Sequence, residues 1–230
     1  MKQQFAAKHP WTILAAGAAI QVLTGIPAAW GVFQQPVMDE YGLSEQGAGY
    51  AFGILIAAFG VGCVLGGFLQ DSRGPRCAAL WGTALLCGGF FAAAILPGGS
   101  AGSFFLAFSI PAGLGTAFLY PSIQSCAQKW YAGRKGLATG VIGGAVGLSG
   151  AFLTVFVRTA VSGFGIVQGI RGAFWALGAV TLPVCLAGSL LLQDPPESRQ
   201  NQQGSGKNEI DLSPWQMLKT KQYWLCAGAV

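Results

Sequence analysis

The residues able to do chemistry in this 230-residue chain are few. Two amides, Gln21 and Gln124, stand inside long apolar runs, as do the aromatic residues Trp30 and Tyr120. A short charged knot, Gly66 to Arg76 (Gly-Gly-Phe-Leu-Gln-Asp-Ser-Arg-Gly-Pro-Arg), sits between two further runs. The chemistry open to these groups is recognition and anchoring rather than bond making. An amide in an apolar medium is costly unless it meets a partner or a water-filled path, so Gln21 and Gln124 require either an interhelical hydrogen bond or a place beside a cavity. No His, Asp or Glu and no nucleophile-base pair falls inside an apolar run, which argues against an intramembrane enzyme. The cysteines at 63, 77, 87, 126, 185 and 226 form no CxxC pair, and the single histidine is His9, so neither a metal site nor a cofactor is expected.

The elements that carry these groups follow from composition. Hydrophobic residues make up 53% of the chain and charged residues only 9%, far below the roughly one quarter of a soluble domain. Spanning helices need about 20 apolar residues and satisfy their own backbone. A membrane β-barrel needs alternating segments of about ten, which are absent. The expected fold is therefore all-α and membrane-integral. A tail over 1–10 precedes a six-helix bundle over 11–192, with helices near 11–33, 47–69, 77–96, 103–127, 136–157 and 172–192. The first segment is too long for the apolar part of a signal peptide. Pro97-Gly98-Gly99-Ser100 divides the third helix from the fourth, and a loop is expected between Arg158 and Arg171. Glycines at 136, 140, 143, 144, 147 and 150 give the fifth helix a small-residue face suited to close packing. Residues 193–222 read as a linker, with a capped surface helix starting at Ser213-Pro214-Trp215-Gln216, and 223–230 begin a seventh apolar run.

Charge placement sets an expected orientation. With a cytoplasmic N-terminus, eleven of the thirteen Lys and Arg fall on the cytoplasmic side and only Arg158 and Arg171 outside, as the positive-inside rule requires. The net charge of +5 thus reflects topology in a cell membrane and not nucleic-acid binding. Arg158 and Arg171 are either snorkelling anchors or an anion-capturing pair at the outer mouth.

Within the charged knot, Gly67, Leu69, Asp71, Gly74 and Arg76 fall at spacings that resemble the loop between the second and third helices of the major facilitator transporters. Gly113-Leu-Gly-Thr-Ala-Phe-Leu-Tyr120, then Trp130-Tyr131-Ala-Gly-Arg134-Lys135-Gly136-Leu-Ala-Thr-Gly140, is similar to the fourth and fifth helices of the oxalate:formate antiporter family and its monocarboxylate-carrying relatives. Trp30 with Pro36-Val37, and Ser213 to Thr220 leading into Tyr223-Trp224, fit the same family.

The resemblance implies the N-terminal six-helix half of a twelve-helix carrier plus the start of a seventh helix. It implies secondary transport of small carboxylates such as oxalate, formate or lactate by alternating access, in contact with lipid and with a second half or a second copy. A latch role for Asp71 is implied, with Arg73 and Arg76 as its basic partners or lipid anchors and Gly67 and Gly74 serving the turn. Trp30 and Tyr120 would line a central cavity by match of position, while Trp30 also suits an interfacial belt. Three departures stand out: no Lys or Arg lies mid-span, no carboxylate lies in the first, fourth or fifth helix for a proton relay, and the fifth helix lacks the family's antiporter proline. The rival reading is a truncated membrane module that binds or regulates a partner without transporting.

Overall fold

The structure, a computed structural model, describes residues 10–96, 101–164 (side chains only to 159), 169–193, 195 and 220. The N-terminal tail, the turn at 97–100, the surface helix expected from Ser213 and the start of a seventh span lie outside the described residues. The chain divides into two units, Met1–Asp194 and Pro195–Val230, and the bundle lies in the first. It contains six helices long and apolar enough to cross a membrane. They are α1 (Pro10–Tyr41), α2 (Glu45–Arg73), α3 (Pro75–Ile95), α4 (Ala101–Trp130), α5 (Lys135–Phe164) and α6 (Gly169–Leu191). No strand occurs among the described residues, so the fold is an all-α membrane bundle.

Most of the helices outrun their apolar stretches. α1 continues past Asp39 and Glu40 because Gln35 Nε2 donates to Asp39 Oδ1 at 3.0 Å, one turn along, and Gly42 closes the helix in the left-handed region at φ 64°. α2 starts early because Ser44 Oγ accepts the Gly47 N–H at 3.1 Å, an N-cap bond. The expected loop from Arg158 to Arg171 is mostly helix: Arg158 lies within α5 and Arg171 in the first turn of α6. Polar end turns reach beyond the hydrocarbon, where water and headgroups solvate them, so loss of apolarity does not end a helix.

The charged knot also differs from a loop. α2 runs to Arg73 and α3 begins at Pro75, so Asp71 and Arg73 occupy the last turn of α2 and Gly74 alone forms the joint. Gly74 has φ 89° and ψ 166°, a conformation essentially reserved for glycine. Pro75, with no N–H to leave unsatisfied, then opens α3.

Two spans are interrupted near proline. Pro27 cannot donate to the carbonyl four residues back, and α1 breaks at Gly25 into Pro10–Thr24 and Ile26–Tyr41. Gly25 must be glycine for space, because a Cβ there would overlap Ser149 Oγ of α5. That hydroxyl donates to Val146 O at 2.5 Å and stands 3.4 Å from Gly25 O. In α4 the Ile110 N–H reaches back to Phe105 O, a widened turn placed just ahead of Pro111.

α4 packs most extensively on α2 and α3, α3 also packs on α6, and α1 lies against α5. The α3–α4 approach is backbone to backbone: a Cβ on Gly115 would stand 2.7 Å from Gly82 O. The glycine face of α5 does not pack as its spacing suggests. Positions 136, 140, 143, 144 and 147 meet open space among the described residues, and Gly150 alone nears a neighbour, Ala28 O.

Candidate functional site

Four helices, α1, α2, α4 and α5, meet around a cavity of about 380 Å³. From α1 it is lined by Gln21, Thr24, Gly25, Pro27 and Ala28, from α2 by Ile56 and Phe59, from α4 by Thr116 and Tyr120, and from α5 by Val146. Gly25, Phe59, Thr116 and Val146 each lie within about one turn of the middle of their own span, so the cavity sits near half depth. The break in α1 therefore opens onto it, which is where irregular backbone in a membrane is tolerated.

The polar groups of the wall can be accounted for one by one. Thr116 Oγ1 donates to Ala112 O at 2.8 Å, the back-bond a helical threonine makes within its own helix. Thr24 Oγ1 donates to Gln21 Oε1 at 3.1 Å. Gln21 is only 1% exposed, and with its oxygen occupied its Nε2 has no hydrogen-bond partner among the described residues. Tyr120, whose ring stands 6.5 Å from that of Phe59, makes no hydrogen bond with a described residue. One amide donor, itself buried within the wall, and one phenol thus have no hydrogen-bond partner among the described residues in an otherwise largely apolar lining. A second groove of about 390 Å³, between α1 and α6, is lined by residues such as Ala16, Pro183 and Leu191, with no polar side chain.

Of the residues singled out in the sequence, Gln21 and Tyr120 share this cavity, while Trp30 and Gln124 do not line it. Trp30 is 6% exposed, well inside α1, with Phe52 and Phe108 stacked at 6.0 and 6.3 Å. It belongs to an aromatic cluster with Phe90, Phe104 and Phe174 that fills the bundle on the Tyr41 side of the cavity. Tyr41 ends that cluster, its hydroxyl donating to Ala93 O at 2.7 Å. Gln124 lies one turn beyond Tyr120, and its Oε1 is buried without a partner among the described residues.

The two ends of the bundle hold the charges. At the Tyr41 end, Arg171 Nε lies 2.7 Å from Glu40 Oε1, a contact of charge between α6 and α1 without the alignment of a hydrogen bond. At the other end, Asp71 and Arg73 are exposed and form no ion pair with a described residue. Gly67 faces open space. Arg76 forms no ion pair with Asp71; its Nε donates to Leu190 O at 2.8 Å and its Nη2 to the same oxygen, capping the end of α6. Trp130 supports that end from α4, its Nε1 donating to Gln193 O at 2.6 Å beside Cys126 Sγ at 3.3 Å.

Sequence reasoning missed Thr24, Thr116, Phe59 and the break at Gly25. The Gly25-Ile26-Pro27 step inside an apolar run was a signal for the last of these. The threonines carried no comparable signal, because a threonine in a helix ordinarily satisfies itself on its own backbone.

A six-span helical bundle with a half-depth cavity, walled by four helices one of which is broken, is the form of one half of a membrane carrier. The comparisons agree. The family model of the Major Facilitator Superfamily matches residues 13–230, and the chain belongs to that superfamily as its N-terminal half. It is similar to the oxalate:formate antiporter of Oxalobacter formigenes, 23% identical over 89% of this chain and 47% of the relative. An uncharacterized 38 kDa protein of Thermoproteus tenax is 30% identical over 79% of this chain and 46% of its own length. Monocarboxylate transporter 2 of Homo sapiens is 26% identical over 93% and 45%. The chain thus spans about half the length of these relatives. Among solved structures it resembles the inward-open xylose transporter XylE from E. coli, with a TM-score of 0.67 at 15% identity over 86% of this chain and 51% of that one. A peptide transporter POT in complex with alafosfalin gives a TM-score of 0.61 at 24% identity over 96% and 44%. These two likenesses establish the fold alone.

Proposed function

We propose that the protein is a secondary carrier of small organic anions, such as oxalate, formate, lactate or similar carboxylates, working by alternating access across the cell membrane. The observation that carries the reading is the half-depth cavity lined by Gln21 and Tyr120, in a chain of a transporter superfamily. Relatives named for oxalate, formate and monocarboxylates support the substrate class. In this reading the substrate rests against Gln21 and Tyr120, while the Trp30 cluster closes the path on the Tyr41 side. Gln124 continues the polar face of α4 toward the basic end.

A second six-helix half, in the manner of the longer relatives, completes the cavity and supplies the cationic groups absent from the middle of these spans. The basic end is cytoplasmic and the Glu40–Arg171 end external, by the asymmetry of Lys and Arg. Asp71, exposed and unpaired within the described bundle, is the latch toward that second half, with Arg73 beside it. Arg76 anchors α6. Uptake and counterflow of labelled oxalate, formate and lactate into proteoliposomes of the complete protein test the proposal. Saturable exchange of at least one of them, lost on substitution of both Gln21 and Tyr120, is the expected result; no movement of any carboxylate overturns it.

A further inference from the structure

We infer that Cys87 of α3 and Cys185 of α6 form a two-thiol site for a soft, linearly coordinated divalent metal ion, buried in the seam between the two helices. The pairing is bracketed by contacts on both sides. Thr83 Oγ1 and Ser189 Oγ stand 3.2 Å apart, and in the other direction a Cβ on Gly178 would meet the ring of Phe91. α3 and α6 therefore run antiparallel, and Cys87, one turn beyond Thr83, falls opposite Cys185, one turn before Ser189. Cys87 is also close enough to act on Cys185 electrostatically. The two residues are 2% and 0% exposed, and both thiols are free. Neither lines the cavity, so the site does not depend on the transport reading. The cysteines stand far apart in the chain, which is why their spacing shows no metal pattern.

The surroundings select the ion. No third His, Cys, Asp or Glu joins the pair among the described residues, so the four-ligand shell of a zinc site is missing. Two thiolates on a soft divalent ion that accepts linear coordination form a neutral unit, which an apolar seam tolerates where a bare thiolate is costly. With mercuric chloride the exchange balances at each sulfur: an S–H bond gives way to an S–Hg bond, and the proton leaves with a chloride as HCl. Two such steps bridge α3 to α6 with no change of oxidation state and no net charge left behind. Thr181 is an independent sign of an occupant. It lies one turn before Cys185 on the same face of α6, is 0% exposed, and its Oγ1 has no hydrogen-bond partner among the described residues. A metal-bound thiolate is a stronger acceptor than a thiol and offers that donor a partner one turn away.

The test loads the reduced full chain in lipid nanodiscs with one equivalent of mercuric chloride and challenges it with excess N-acetylcysteine. A bridging pair is expected to hold the ion about 10²- to 10⁴-fold more tightly than a single thiol, the gain from a second attachment within one molecule. Cys87→Ala and Cys185→Ala are each expected to lose that gain, while Cys63→Ala, Cys77→Ala and Cys126→Ala keep it within about twofold. Methylmercury chloride, which takes one thiol only, is expected to be stripped equally from all of them. X-ray absorption at the mercury edge of the unsubstituted chain needs no variant, and is expected to show two sulfur neighbours and no chloride. One sulfur with a chloride, or retention that survives either Cys87→Ala or Cys185→Ala, overturns the site. So does an ion that the unsubstituted chain holds no more tightly than methylmercury.

Discussion

The break in α1 depends on a side chain that is not there. A Cβ at Gly25 would overlap the Ser149 hydroxyl, and α5 cannot withdraw without giving up its packing against the second half of α1. Gly25→Ala is therefore expected to destabilise the bundle by about 1–3 kcal/mol, the usual cost of overpacking. Pairing it with Ser149→Gly, which clears the space, recovers most of the loss; thermal unfolding of the reconstituted chain measures both. Trp130 makes a second residue-scale case. Trp130→Phe keeps the ring but removes the donor to Gln193 O, and a loss of about 0.5–1.5 kcal/mol is expected in the same assay. The reading of single residues from the sequence was uneven for a physical reason. Gln21 stood out by cost alone, since an amide in an apolar run is expensive unless it meets a partner or a water-filled path. Trp30 could not, because its place follows from where α1 ends, and α1 ends one turn or more beyond its last strongly apolar residue. Ser149 and Gly25 are 124 positions apart, and no local pattern joins them.

At the scale of elements, the α2–α3 joint shows how one residue can stand where a loop was expected. The glycines, the proline and the charges of Gly66 to Arg76 were all legible, yet they read as a loop because polar residues and helix ends usually coincide. Here the end turn of α2 carries the charge while Gly74 does the turning. The two positive-φ glycines of the described residues differ in a way that separates their roles. Gly42 sits at φ 64° and ψ 33°, a left-handed well that asparagine also occupies. Gly74 sits at φ 89° and ψ 166°, where any Cβ is strained. Gly42→Asn is accordingly expected to change stability by less than about 0.5 kcal/mol. Gly74→Asn is expected to cost about 1–3 kcal/mol. Thermal unfolding of the two variants side by side checks the contrast, and equal losses would contradict it. The number and order of the helices were legible because each apolar run is long enough to cross a bilayer. The neighbours were not: the glycine face of α5 has the spacing of a packing surface and meets nothing here, whereas Gly82 and Gly115, with no such repeat around them, bring α3 and α4 into backbone contact.

On the scale of the whole molecule, the charges at the two ends behave differently. Arg171 and Glu40 neutralise one another across α6 and α1, and Arg76 is committed to the end of α6. Asp71 faces outward from the last turn of α2 with no described partner, and α2 is the least buried of the six spans. A carboxylate in that position contributes nothing to this bundle that its amide could not, so Asp71→Asn is expected to leave the unfolding temperature of the chain unchanged. Its effect belongs to the complete carrier of the proposed function, where a latch that pairs Asp71 with the second half holds one of the two access states. A charge-assisted hydrogen bond lost from one state alone moves the balance between the states by about ten- to a hundredfold. Counterflow through proteoliposomes of the complete protein is then expected to slow by a similar factor, while substrate binding to the open cavity, which lies half a membrane away, shifts far less. A variant that exchanges at the original rate would remove the latch from the mechanism. One that loses binding and exchange together would place Asp71 in the folding of the second half instead.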